Sequence, residues 1–111
     1  MKGSTRDLLA LLPGPVTDKW PSGERFVSAL SHGSMSVELY APIDNDPQSP
    51  HDKDELYFTI SGSGVFRIGS ERHRFGPSTC FFVPARVDHR FEEFSDDFTT
   101  WVVFWGPAGG E

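Results

Sequence analysis

The chain has 111 residues, of which 37% are hydrophobic and 23% charged. That length suits one domain, residues 1–111, and is too short for two. Ten Lys plus Arg against sixteen Asp plus Glu give a formal charge of −6, which leaves no basic stripe for a nucleic-acid backbone and disfavours an anionic membrane surface. The one cysteine, Cys80, excludes an intrachain disulfide. The early apolar run Leu8-Leu9-Ala10-Leu11-Leu12 is too short to span a bilayer, so a cytoplasmic protein is the expectation.

Residues 4–12 read as one short helix. Ser4 or Thr5 caps it, Asp7 sits in its first turn, and Pro13-Gly14-Pro15 ends it. So short a helix is unstable alone, and Leu8, Leu9, Leu11 and Leu12 are expected to pack on the main body. Residues 13–24, with Trp20, read as an irregular crossing segment.

From Arg25 the texture changes. β-rich runs at Arg25–Leu30, Met35–Tyr40, Glu55–Ile60, Val65–Ile68, Arg72–Phe75, Thr79–Val83, Asp88–Phe94 and Phe98–Trp105 alternate with turn formers. Ser61-Gly62-Ser63-Gly64 and Gly69-Ser70-Glu71 suit hairpin connections. The polar stretch Ile43–Asp54 reads as a loop. Its Asp44, Asp46, Asp52 and Asp54 lack the Gly and Glu spacing of a calcium loop and read as solvated. Eight short strands in a chain with ten Phe, eleven Gly and nine Pro point to an all-β closed barrel or double-sheet jelly roll over about 25–106. Gly109-Gly110-Glu111 is expected to fray.

Two histidines have chemical company: His51 precedes Glu55, and His89 follows Pro84-Ala85-Arg86-Val87-Asp88. These stretches resemble the two motifs of the cupin superfamily. The first motif is G-x5-H-x-H-x(3,4)-E-x6-G. Glu55 and Gly62 match its carboxylate and last glycine, and His51 its second histidine, while Ser49 stands at the first. The second is G-x5-P-x-G-x2-H-x3-N. Pro84 and His89 match it, whereas Ser78, Arg86 and Glu93 stand where the family has Gly, Gly and Asn. The resemblance runs from about Met35 to Trp105. It implies a cupin-type double-stranded β-helix with one short N-terminal helix, a small barrel often found as a homodimer, holding one divalent transition metal (Fe, Mn, Ni, Zn or Cu).

The donor chemistry agrees with that expectation. Two imidazoles and a carboxylate bind first-row divalent metals and leave positions open. His51, Glu55 and His89 are the candidate ligands. Gln48, one residue from the vacant histidine position, is a fourth candidate, beside a three-ligand centre completed by water and a site that binds metal weakly or not at all. Strand parity places Tyr57 and Thr59 on the face of Glu55, and Val87, Phe91 and Glu93 on that of His89. Tyr57, Thr59, Phe91 and Glu93 are therefore the expected pocket lining, and such a lining favours an apolar or aromatic small molecule. Tyr40, Tyr57, Arg90 and Glu93 are candidates for acid–base work. His32 and His73 read as having no functional role, His73 as solvated between Arg72 and Arg74, Cys80 as a core thiol, and Trp101, Phe104 and Trp105 as packing rather than pocket. Function divides between a metal-dependent enzyme, oxygenase- or isomerase-like, acting on a small organic molecule and a non-catalytic binding or sensing cupin with a weak or vestigial site.

Overall fold

Alternating apolar and polar residues between glycine-rich turns build strands, and the computed structural model, which describes residues 1–111, shows eight. They are β1 (Phe26–His32), β2 (Met35–Tyr40), β3 (Asp54–Ser61), β4 (Gly64–Ile68), β5 (Glu71–Phe75), β6 (Cys80–Val83), β7 (His89–Glu92) and β8 (Thr99–Trp105), after a single helix α1 (Thr5–Leu9). All pairings are antiparallel. One sheet has the order β1-β2-β8-β3-β6 and the other β5-β4-β7. The expected strands are all present, within a residue or two at most ends.

Helix α1 is shorter than the apolar run suggests. Ser4 caps it by accepting from the Asp7 backbone N–H. Leu8 is buried, but Leu9 and Leu11 are exposed, so only part of the leucine run packs. The expected fraying of the C-terminus does not occur. Glu111 N donates to Asp54 Oδ2 at 3.0 Å, and Gly109 N to the Asp52 carbonyl at 2.6 Å. Cys80 is exposed on β6 rather than in the core. Its side chain takes the parity of Phe82, away from Phe81 and Val83.

The inner faces of the two sheets meet in an aromatic core. Phe91 lies 4.6 Å from Phe66, 4.6 Å from Phe98 and 4.9 Å from Tyr57, centroid to centroid. Phe66 and Tyr57 are fully buried. Aromatic pairs at these distances add about 0.5–1.5 kcal/mol each beyond area burial. This block is the solid floor beneath β3 and β7, and the first turns of those strands carry the site.

The departures from the second motif have a common conformation. Ser78, Arg86 and Glu93 have φ of 62°, 68° and 50°. The left-handed region suits the Gly, Gly and Asn of the motif and strains other residues. The chain therefore keeps the backbone path while changing the residues. Gly62, which ends the first motif, is not replaceable in this way. It has φ +83°, and a Cβ there would fall 2.6 Å from Phe98 Cα.

Two opposite stability effects follow. Ser78→Gly should stabilise the fold by roughly 0.5–1 kcal/mol, by removing left-handed strain at an exposed site. Gly62→Ala should destabilise it by roughly 2–3 kcal/mol, because backbone must move. Urea unfolding midpoints of the two variants against the parent check both signs.

Candidate metal centre

His51, Glu55 and His89 come from the loop before β3, the start of β3 and the start of β7, and their ligand atoms lie within 4.8 Å of one another. His89 Nε2 is 2.9 Å from Glu55 Oε1, and His51 Nε2 is 3.7 Å from Glu55 Oε2. Each ring is aimed by its surroundings. His89 Nδ1 lies 2.9 Å from the Val87 carbonyl, a contact that places the proton on Nδ1 and the lone pair on Nε2. The His51 ring packs edge-on against Phe104 at 4.8 Å. The left-handed turn at Arg86 holds the His51 backbone, its N–H donating to the His51 carbonyl at 2.6 Å.

The decisive feature is what the site lacks. Both Glu55 oxygens and His89 Nε2 are buried, and none makes an aligned hydrogen bond. A carboxylate oxygen and an imidazole lone pair 2.9 Å apart repel unless a proton or a cation lies between them. Buried polar atoms left unpaired cost about 1–3 kcal/mol each, more when charged. The donor set therefore fits a divalent transition metal: two imidazoles and one carboxylate, with no aligned hydrogen bond to the carboxylate oxygens or to His89 Nε2.

Gln48 joins this group by a route that strand register does not describe. Residues 47–53 are not strand, so the two-residue alternation does not set the direction of Gln48. Its amide Nε2 donates to Asp46 Oδ2 at 2.7 Å, which fixes the flip. Oε1 then accepts from Tyr57 OH at 2.9 Å and sits 3.2 Å from His51 Nε2. Asp46 is the anchor. It is 2% exposed and also accepts from the Phe91 N–H at 2.9 Å, the Gln48 N–H at 3.3 Å and Tyr40 OH. The expectation of a solvated acidic loop thus fails at Asp46. It fails too at Asp54, which is 6% exposed and accepts from Ala85 N at 2.9 Å.

A cavity of about 350 Å³ opens beside His51 and Gln48. Trp20 from the crossing segment, Phe26, Val102 and Phe104 supply its apolar wall, and Lys19, Glu24 and Glu38 its charges. Of the residues expected to line a pocket, Tyr57 and Phe91 lie in the core between the sheets, and Thr59 is tied to the Gly76 carbonyl at 2.7 Å. Glu93 is on the surface, paired with Arg72 at 3.3 Å. None of the four borders this cavity. Phe104, expected to pack, does border it, with Tyr40. Trp101 and Trp105 take the opposite parity and face outward. Arg90 is exposed and reaches the Gln48 carbonyl at 3.4 Å. Glu38 is the residue that sequence reasoning missed. The signal was available, because Glu38 is the one charged residue of β2 and shares a face with Ser36 and Tyr40.

Electrostatics follow from this burial. Burial pulls the His51 imidazole below its usual pKa, so it is neutral and ready as a ligand. Burial also pulls His89 down, but the adjacent Glu55 carboxylate outweighs it and holds His89 above the usual value. Burial first, and the Glu55 charge second, push the Glu38 carboxyl up to about 7. The raised His89 and Glu38 both bind protons more tightly in the folded state, so their stabilisation is lost as pH rises through the folded values. Below about pH 6.5 the lowered His51 acts in the opposite sense. The metal-free protein should therefore lose stability as pH rises above about 6.5, and a divalent metal that replaces the shared proton should reverse the loss. Urea unfolding across this range, with chelator and then with added zinc, checks it.

Comparison with known proteins bears on the family and the fold. An uncharacterized protein of Streptomyces coelicolor is 38% identical over 85 residues, covering 74% of this chain and 80% of that protein. The Cupin 2 conserved barrel domain protein of Salinispora arenicola superposes with a TM-score of 0.66 at 14% identity, covering 96% of this chain and 87% of that one. The DMSP lyase DddQ of Ruegeria pomeroyi superposes with a TM-score of 0.62 at 21% identity, covering 75% of this chain and 48% of that one. At such identities the likeness is one of fold. No helix is long and apolar enough to cross a membrane. The Cupin domain family model matches residues 36–105, the span that carries β2 to β8 and all three candidate ligands, and the chain belongs to that family.

Proposed function

We propose that this protein holds one divalent transition metal through His51, Glu55 and His89, with Gln48 Oε1 as the fourth protein ligand, and acts as a metal-dependent enzyme on a small organic molecule. The observation that carries the reading is the trio of buried, unpaired acceptors, Glu55 Oε1, Glu55 Oε2 and His89 Nε2, beside His51. When bound, the metal supplies Lewis acidity at its open positions. The chain's own residues do the rest. Asp46 and Tyr57 orient the Gln48 amide, the Val87 carbonyl fixes the His89 tautomer, and Trp20, Phe26, Val102 and Phe104 exclude water from one side of the cavity. That apolar wall suits a small apolar or aromatic ligand with an oxygen to offer. DddQ, a lyase by name, shares the fold, which is support by analogy only.

Elemental mass spectrometry tests the site. The protein should carry about one equivalent of metal, and His89→Ala should carry none. Gln48→Ala should keep the site but bind about tenfold or more weakly, read by competition with a chelator. Full metal content in His89→Ala would sink the assignment.

We also propose a homodimer through the outer face of the five-stranded sheet. By strand parity Leu56, Phe58, Phe82, Trp101 and Val103 share that face, and Phe58 and Phe82 are 44% and 51% exposed. Helix α1 covers the β2 side, where Leu39 is fully buried. No charge lies among these five residues, so a second copy of the same apolar face can pack on it without desolvating an ion. Analytical ultracentrifugation at tens of micromolar should find a dimer for the parent and a monomer for Phe58→Glu.

A further inference from the structure

Glu38 has no evident structural task. It pairs with Val102 across the β2–β8 ladder, and both residues border the cavity. It is half-buried, and burial and the Glu55 charge are the largest influences on it, with no hydrogen bond or cation among them. Partly buried carboxylates ordinarily find a donor or a counter-ion. Asp46, Asp54 and Glu92 in this chain all do. Around Glu38 the titratable groups are Lys19 and Glu24 from the N-terminal segment, Tyr40 on its own strand, His51 from the loop and Glu55 on β3. Lys19 is exposed at the rim of the same cavity.

We propose that Glu38 accepts the proton that a ligand gives up on binding in this cavity, so that the site selects neutral oxygen acids, hydroxy or enolisable keto compounds with an apolar body, and binds them as anions. The inference rests on the metal reading above. An oxygen acid that enters beside a divalent cation is bound best as its anion. The O–H bond then breaks heterolytically. The electron pair stays on the ligand oxygen, and the proton passes to a Glu38 carboxylate oxygen. The resulting neutral carboxyl is a hydrogen-bond donor facing the anion just formed. Of the carboxyl groups bordering the cavity, Glu38 and Glu24, Glu38 is the one on the barrel wall, and its affinity for protons lies near neutrality, about 7. A cation held by Glu55 removes the second cause of that elevation and leaves the first, burial, in place.

Benzohydroxamic acid, an aromatic acid that chelates through two oxygens after losing one proton, is a suitable probe. Zinc-loaded protein is titrated with it by calorimetry at about pH 8, in buffers of different ionisation heat, so that protons released to buffer are counted. The parent should release well under half a proton per ligand bound, and Glu38→Gln close to one. If the variant does not fold, the parent decides alone, since release of about one full proton overturns the inference. Zinc loading with equal release in both proteins, or with no hydroxamate binding, overturns this inference and leaves the metal reading standing. Failure of both proteins to load zinc overturns the metal reading and this inference with it.

Discussion

The structure turns on how a barrel this small keeps negative charge in its interior. Glu55 and Asp46 are both buried, at 0% and 2% exposure, and each such charge carries a desolvation penalty of several kcal/mol. They meet it in opposite ways. Asp46 receives donors from Tyr40, Gln48 and the Phe91 backbone, and it staples the loop before β3 to β2 and β7. Its bonding is complete and its role is architectural. Glu55 receives no aligned donor at all, and its Oε1 lies 2.9 Å from His89 Nε2. The contrast between a satisfied carboxylate and an unsatisfied one is what the proposed metal site rests on.

The two carboxylates are also coupled mechanically. Asp46 fixes the Gln48 amide, and that amide faces His51 and Tyr57. A change at Asp46 would free the Gln48 amide oxygen, proposed above as a fourth ligand, while also releasing the backbone of β7, the strand on which His89 lies. Positioning of the ligands and stability of the barrel are therefore one network. Loss of metal affinity on substitution at Asp46 would say little about direct coordination, whereas Gln48 can be altered with Asp46 still bonded to Phe91 and Tyr40.

Much of the fold was legible because strands announce themselves by alternation and turns by glycine. His51, Glu55 and His89 were legible because motif spacing survives residue replacement. Ser78, Arg86 and Glu93 show why it survives. The motif encodes backbone conformation, and a Ser, an Arg or a Glu can be held at positive φ by the strands on either side. What spacing could not reveal was direction outside the strands. Gln48 looked one residue out of register because motif spacing puts the first histidine position at Ser49, and spacing does not set the direction of a side chain in a segment that is not a strand. Asp46 and Asp54 looked solvated because composition does not say which loop carboxylates meet backbone donors from distant strands. Pocket parity went astray for a simpler reason. Tyr57 and Phe91 do point inward, but inward at their level is the filled aromatic core, and the open volume lies to the side of β2 and β8.

That sideways cavity divides the site between family and chain. The Cupin domain match runs over 36–105 and contains every candidate ligand, together with Glu38, Tyr40, Val102 and Phe104. The remaining wall, from Thr17 through Trp20 and Glu24 to Phe26, precedes the match. Trp20 is held in place by edge contacts to Phe26 at 6.2 Å and Tyr40 at 6.1 Å. Its segment is tied internally by Trp20 N to the Thr17 carbonyl at 3.1 Å and by Gly14 N to the Glu24 carbonyl at 2.8 Å. Up to Glu24 this wall is ordered by its own hydrogen bonds, whereas Arg25 and Phe26 join the barrel through Ala41 and Tyr40. Since a shared fold does not fix a shared ligand, the proposed ligand site draws on both parts of the chain. Glu38, within the family match, and residues 17–26, which precede it, border the same cavity.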